Sequence, residues 1–591
     1  MSDARALQGK AAEAYRAGDL QGAMDALAAA AAADPKEPDY LRNLAEIARE
    51  RGDREAARRW LERAGEVTAE APSVARLNLM AAGWYDLGQR DRMLQAAAQA
   101  LALDDSDIDS RGLVATALSR LPSVPAEHAH LLARALAEGW ADPAVLAGIA
   151  AATLRSRWPP TRGALAGDPL LAALLASDPV RDELLERRLT EVRRAMLLEP
   201  ASNAEAPLWA GLARQGFINE YAWAVTPEEQ AAVDALADGE RTQGALLRIA
   251  AYRSLESLPD AEALLDLATS GDLRAVIRQQ VAEPREAAAL AARIPALTPI
   301  VDDVSRQVRE MYEANPYPRW VSVRPVTPTP LPNVFRRAFP RARMAPVPNG
   351  EAPEILVAGC GTGRHPIYTA RAFAGSRLLA VDLSLASLGY AKRKARELGV
   401  ETIEFALADV LELEGRSFDV IEAAGSLQCM DDPAAATRRL CAMLRPGGLF
   451  RFGLYSAQAR RGLAAARAVG DAYPRTLEGI RAFRQAVFAA PVGSPVREAL
   501  SYPDFYSTSM CRDLLLHVKE HVHTLPQIKQ LLADNGLSVV GFVHPPEVLA
   551  LYRERFPDDP AAANLDNWAA LEAARPETFR GMYQFWAQKT P

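Results

Sequence analysis

The run Ile355-Leu-Val-Ala-Gly359-Cys360-Gly361-Thr362-Gly363 sets three alternate glycines behind four residues of a short apolar strand. Glycines in such a turn adopt positive φ and let a ligand press against backbone without meeting a Cβ. The helix that must follow offers unpaired N–H groups and the positive end of its dipole. Nineteen residues beyond Gly363, the run Arg377-Leu-Leu-Ala-Val-Asp382 ends in a carboxylate. That is the spacing at which nucleotide-binding α/β units grip ribose hydroxyls. A second grouping lies far downstream, where His517, His521 and His523 bring together three of the seven histidines with Arg512, Asp513 and Glu520. Imidazoles exchange protons near neutral pH, so these side chains suit acid–base work on an acceptor.

The elements around the glycines alternate. Thr402-Ile-Glu-Phe-Ala406 reads as a third strand, followed by Ala408-Asp409-Val410. Phe418 to Ala423 reads as a fourth, and Arg445-Pro-Gly-Gly448 turns into a fifth over Leu449 to Leu454. Alternation on this scale predicts a mainly parallel sheet with helices on both faces and a ligand across the carboxyl ends of its strands.

Residues 351 to 454 resemble the core of class I S-adenosylmethionine-dependent methyltransferases. The resemblance rests on the Gly359/Gly361/Gly363 loop, Asp382, Asp409 and the Arg445-Pro-Gly-Gly448 turn, in that order. It implies a Rossmann-like seven-stranded α/β domain with S-adenosyl-L-methionine as cofactor. It also implies that Cys360 and Leu383 lie beside the cofactor, that Asp382 holds its ribose, and that Asp409 and Val410 meet its adenine. The loop from Gly425 to Gln428 then borders its methionine part. The closing strands are expected at Leu537 to Val543 and Arg580 to Trp586. A dinucleotide-binding GxGxxG loop counted from Gly359 would carry its third glycine where Arg364 stands, ahead of His365, which argues against a dehydrogenase.

A chain of 591 residues exceeds one core. We divide it into a repeat domain over 1–120, a helical domain over 121–300, a lid or linker over 301–350 and the methyltransferase domain over 351–591. In the first part Gly18, Gly52 and Gly88 recur at 34 and 36 residues, each followed by Ala23, Ala57 or Met93 and then by Ala30, Ala64 or Ala100. This period resembles tetratricopeptide repeats, whose paired helices need small residues where they touch. The all-α first half thus implies a groove for a protein or peptide, or a surface for forming a homo-oligomer. The net charge of −7 lacks the basic surface a nucleic-acid partner demands. Four cysteines without CxxC spacing, no signal-peptide pattern and no long apolar run lead us to expect a cytoplasmic protein without a membrane anchor.

Two segments flank the expected cofactor pocket. Tyr312, Asn315, Tyr317, Arg319 and Trp320 precede the first strand and suit a lid or substrate contacts. Asn315-Pro316-Tyr317 departs from the (N/D)PP(Y/F) signature of amino-methyltransferases at its third residue and follows a helix instead of a strand. The connection after strand five is long, a helical insertion over about 456–523, and we expect it to roof the acceptor site. There His517-Val-Lys-Glu520-His521 matches HxxEH, the helix of inverted zinc peptidases, but no third ligand accompanies it and no metal is expected. His517, His521 and Glu520 are the candidate catalytic residues, and Arg512 a candidate substrate contact. The function expected is methyl transfer to a protein recruited by the repeats. The alternatives are methylation of a small molecule or glycan, and a non-enzymatic scaffold with a lapsed methyltransferase fold.

Overall fold

A computed structural model describes residues 2–159, 161–199, 203–267, 271–517 and 519–591. The chain divides into two compact units. One comprises residues 1–160 and 168–174, the other residues 161–167 and 175–591.

The first unit is helical. Helices α1 (Ser2–Arg16) and α2 (Leu20–Ala33), α3 (Pro38–Glu50) and α4 (Arg54–Glu70), and α5 (Val74–Asp86) and α6 (Arg90–Leu103) form three consecutive hairpins. Asp19, Asp53 and Ser73 accept backbone N–H groups at the starts of α2, α4 and α5, satisfying donors that a helix leaves unpaired. Ala23, Ala57, Ala30, Ala64 and Ala100 are wholly buried, so backbones approach where a larger side chain would hold them apart. Among the described residues no helix is long and apolar enough to cross a membrane.

The second unit is built on seven strands: β1 (Glu354–Ala358), β2 (Arg377–Asp382), β3 (Ile403–Leu407), β4 (Phe418–Ala424), β5 (Leu444–Leu454), β6 (Leu537–Phe542) and β7 (Tyr583–Lys589). Their order is β3-β2-β1-β4-β5-β7-β6. The first five are parallel, and β7 runs antiparallel between β5 and β6. β1 and β4 are buried along nearly their whole length, as strands covered on both faces must be. The seventh strand begins three residues later than the sequence pattern indicated, because a 3-10 turn at Pro576–Phe579 precedes it.

The helical texture expected to form a separate domain over 121–300 is divided between the units, and residues 175–300 are part of the one that holds the sheet. The helix Glu283–Ala291 lies so close on the helix Leu385–Glu397 that a Cβ on Gly389 would stand 2.4 Å from the Ala287 carbonyl oxygen. Residues 295–297 bridge to β3, with Leu407 N–H donating to Pro295 O and Leu297 N–H to Leu407 O, both at 2.9 Å. Arg484 of the insertion is fully buried and donates to Glu186 at 2.7 Å, to the Ala222 carbonyl at 2.6 Å and to the Phe505 carbonyl at 2.9 Å.

Candidate functional site

The glycine loop follows β1. Gly359 and Cys360 donate to the Val381 carbonyl at 2.9 and 3.0 Å, drawing the loop across the end of β2. Gly359 has φ +72°, and a Cβ there would stand 2.3 Å from the Ser426 Cβ. Gly361, at φ +52°, lies under the lid, with the Tyr317 carbonyl 2.9 Å from where its Cβ would be. Gly363 starts the helix Arg364–Ala372, and Gly425 turns the chain after β4.

Asp382 ends β2 with Oδ2 accepting from Gly361 N–H at 2.7 Å and Oδ1 from Ser384 N–H at 3.0 Å. Burial raises its pKa and these amides oppose the rise. Each oxygen keeps a lone pair for further donors. Leu383 beside it is half-buried. Asp409 is buried next to the buried Val410; its Oδ1 accepts from Leu411 N–H at 3.0 Å, while Oδ2 has no partner. Thr298 Oγ1 accepts from Asp409 N–H at 2.8 Å. Gln428, fully buried after β4, has no partner for either amide atom. Buried polar atoms left unpaired are costly, and three at the strand tips mark a place completed by a ligand.

These residues fit S-adenosylmethionine: Asp382 for its hydroxyls, Asp409 Oδ2 for its adenine amino group and Gln428 for its polar amino-acid end.

The lid is fastened to this loop. Thr362 N–H donates to the Tyr317 carbonyl at 3.4 Å, Thr362 Oγ1 to Pro318 O at 2.5 Å, and Trp320 Nε1 to Thr362 O at 3.0 Å. Trp320 is buried against Tyr390 with Lys394 over its ring, so it anchors the lid instead of meeting a substrate. Asn315, Arg319 and Arg512 line a separate cleft of about 560 Å³ with Phe217 and Glu220. Arg319 pairs there with Glu220 at 3.7 Å, and burial lowers the Arg512 pKa.

Tyr312 and Tyr317 turn the other way. Their rings stack at 6.1 Å; the Tyr312 hydroxyl donates to Asp513 at 2.6 Å, and the Tyr317 hydroxyl lies 3.4 Å from Asp504. His517 joins them, its Nε2 3.3 Å from the Tyr312 hydroxyl. Lys519 N–H donates to His517 Nδ1 at 3.1 Å, which assigns the ring proton to Nε2 and makes His517 a donor to Tyr312. Its lone pair is thereby occupied, and His517 does not serve as the free base expected.

The HxxEH reading also fails. The helix Thr508–Leu516 ends before His517, so His517 and His521 share no helical face; Val518 is outside the described residues. Among the described residues no group of three metal-ligating side chains is assembled. Glu520 is the shared partner of Arg467 at 2.6 Å and Arg460 at 3.7 Å. His521 binds the Gln428 carbonyl through its N–H at 2.8 Å, and its Nε2 is buried without a partner. Asp504, Tyr455 and Arg460 were missed in the sequence. Tyr455 carried one signal, its place immediately after β5.

Residues 355–448 match the family model described as a methyltransferase domain. The chain is 27% identical over 257 residues to an uncharacterized protein of Synechococcus sp., covering 41% of this chain and 60% of that one. It is 30% identical over 164 residues to trans-aconitate 2-methyltransferase of Deinococcus radiodurans, covering 28% and 62%. It is 35% identical over 113 residues to ubiquinone biosynthesis O-methyltransferase of Methylocella silvestris, covering 19% and 43%. The chain therefore spans less than two thirds of the length of these relatives. Its carboxyl-terminal half carries a class I S-adenosylmethionine-dependent methyltransferase domain.

Proposed function

We propose that the protein transfers a methyl group from S-adenosylmethionine to a protein side chain, with the helical hairpins of the first unit acting as tetratricopeptide-like repeats that recruit the substrate. The single observation carrying the transferase reading is the set of unpaired polar atoms on Asp409 and Gln428 beside the glycine loop and Asp382. The cofactor supplies an electrophilic methyl group on a sulfonium. The chain's own residues then bind, orient and exclude water: the strand tips hold the nucleoside, while the lid and the insertion enclose the acceptor. Alignment of two bound reactants is worth several kcal/mol by itself, roughly 7–11 in the best cases. Where a proton must leave, His521 Nε2 is the free imidazole nitrogen closest in sequence to the cluster. The recruiting role of the repeats rests on the three hairpins and their buried alanines. The names of two relatives favour a second reading, a small-molecule acceptor, with the hairpins used for assembly.

Calorimetry with S-adenosylhomocysteine tests the cofactor site. Wild type should bind, and Asp382→Ala should lose about 1–3 kcal/mol. Equal affinity in the two proteins would refute the placement of the ribose. Incubation of cell extract with methyl-labelled S-adenosylmethionine and the protein tests the acceptor class. Label confined to low-mass products would establish the second reading.

A further inference from the structure

We infer that the cavity behind the lid is a second ligand site, separate from the cofactor cleft, and that its ligand is a small organic dianion on an aromatic body.

The cavity measures about 480 Å³. That is the size of a small-molecule pocket and far more than an inorganic ion needs. One wall is the lid, through Pro316, Arg319 and Trp320, and another is the helix Leu385–Glu397, through Tyr390, Arg393 and Lys394. The third comes from the helical segment before the sheet, where Arg214 and Phe217 join Arg278 and Gln279. Arg278 and Gln279 open a π turn over Arg278–Ala282, a rare geometry that recurs at functional sites. Pro284 has no N–H for the Gln280 carbonyl, and the Ser254 hydroxyl donates to that oxygen instead at 3.4 Å. Gly359, Asp382, Asp409 and Gln428 take no part in this cavity.

The charges around it are unequal. Five cations line it: Arg214, Arg278, Arg319, Arg393 and Lys394. Among the described residues, three carboxylates lie within 4 Å of them. Glu220 takes Arg319 at 3.7 Å; Glu283 takes Arg278 at 3.4 Å and Arg393 at 3.1 Å; Glu397 takes Arg393 at 2.9 Å and Lys394 at 3.2 Å. Arg214 has no carboxylate at that distance and donates only to the Ala176 carbonyl, at 3.5 Å. The charge it feels, that of Glu283, is already shared by two other guanidiniums. Burial lowers the pKa of Arg214 and of Lys394. Arg393 is 3% exposed, and its Nε is buried without a partner. Gln279 Oε1 is buried without a partner too, and a half-turn of that amide offers its N–H groups in place of the oxygen. Buried polar groups left unpaired are costly, so an excess of two positive charges here calls for an acceptor carrying two negative ones.

The body of the ligand follows from the rings. Phe217, Trp320 and Tyr390 share the walls, and the Tyr390 hydroxyl is spent on the Trp320 carbonyl at 2.6 Å. Guanidiniums pair two N–H groups with the oxygens of a carboxylate or phosphate, and aromatic walls favour a flat apolar body. An ammonium ligand would meet like charge, and a neutral one would leave Arg214 unserved. The site stands whether or not the methyltransferase reading does.

The test is a saturation-transfer NMR titration of the full chain, with S-adenosylhomocysteine present to occupy the cofactor cleft. The probes are phthalate, phenyl phosphate, benzyl alcohol and benzylamine, at a pH where the first two carry two negative charges. At least one dianion should bind about tenfold or more tightly than benzyl alcohol, and benzylamine should not bind. Its affinity should fall about tenfold in Arg214→Gln and in Arg278→Glu, the second at an exposed position where folding is not at stake. Preference for phthalate would identify a dicarboxylate and preference for phenyl phosphate a phosphate monoester; either upholds the site. Arg512→Gln, in the neighbouring cleft, should leave the affinity unchanged. Failure of both dianions to bind, equal binding of benzyl alcohol or benzylamine, unchanged affinity in a folded Arg214 or Arg278 variant, or a loss in Arg512→Gln would overturn the inference. Thermal melting curves report that the variants are folded. Failure of wild type to bind S-adenosylhomocysteine would strike the methyltransferase reading alone, because the arginine variants still report on this cavity.

Discussion

Gly359 leaves no room for a side chain, because a methyl group there would overlap Ser426 and the backbone has positive φ. Gly359→Ala should lower both the melting temperature and the affinity for S-adenosylhomocysteine. Removing the Ser426 side chain as well relieves the overlap but not the backbone strain. The double variant Gly359→Ala/Ser426→Gly should therefore recover part of the loss; no recovery at all would mean that the overlap is not the cause. Residues of this kind were legible in the sequence, since glycine spacing reports backbone geometry directly. Asp382 and Asp409 were legible for a similar reason, as each ends or follows a strand whose pattern fixes its place. Asp504 and Arg460 were not, because an irregular insertion carries no periodicity. Only tertiary packing places Asp504 against Tyr317 from 187 residues away.

At the scale of elements, the insertion is held by the buried pair Arg484–Glu186. Burial raises the Glu186 pKa, and the Arg484 guanidinium opposes the rise without cancelling it. Removing one partner strands a buried charge, so Glu186→Leu should cost about 3–5 kcal/mol, while Glu186→Leu with Arg484→Met should recover part of it, because the Ala222 and Phe505 carbonyls then lose their donor. Urea denaturation would check this; an equal cost for the single and double variants would contradict it. The loop after β6 carries a second testable feature. His544 stacks on Trp568 at 5.2 Å, and burial lowers its pKa from 6.5 to about 4. The folded protein binds this proton less readily than the unfolded chain. Its contribution is therefore full above pH 6.5, is lost as pH falls toward 4 and amounts to roughly 3 kcal/mol. His544→Phe should flatten that part of the stability curve; parallel curves for wild type and variant would refute the assignment. Strands and helices were legible to within a few residues wherever period and turn residues agreed. The end of the Thr508–Leu516 helix was not, because histidines and a glutamate at helical spacing look the same whether or not the backbone coils.

At the scale of the whole molecule, the methyltransferase sheet does not stand alone. Residues 295–298 bond to β3 and to Asp409, and the turn at Asn219–Tyr221 binds the start of the helix Thr508–Leu516. Glu220 and Tyr221 both hold φ of +57°, a conformation that the surrounding contacts must maintain. A protein beginning at Thr161 should retain S-adenosylhomocysteine binding, whereas one beginning at Val301 should aggregate, which gel filtration and calorimetry would show. Stable folding of the shorter form would remove the need for the helical segment. Composition and helical texture announced helices over this region but not their attachment, since contacts between distant segments leave no periodic mark.

The placement of β7 inside β6 also orders events during synthesis. When residues 537–542 leave the ribosome, the strand they must pair with has not yet been made. That edge waits, with unpaired amides and an apolar face, until residues 583–589 arrive and slide in beside β5. The newborn chain is therefore most vulnerable to aggregation over this interval of some forty residues, and a chaperone that shields exposed strands would act there.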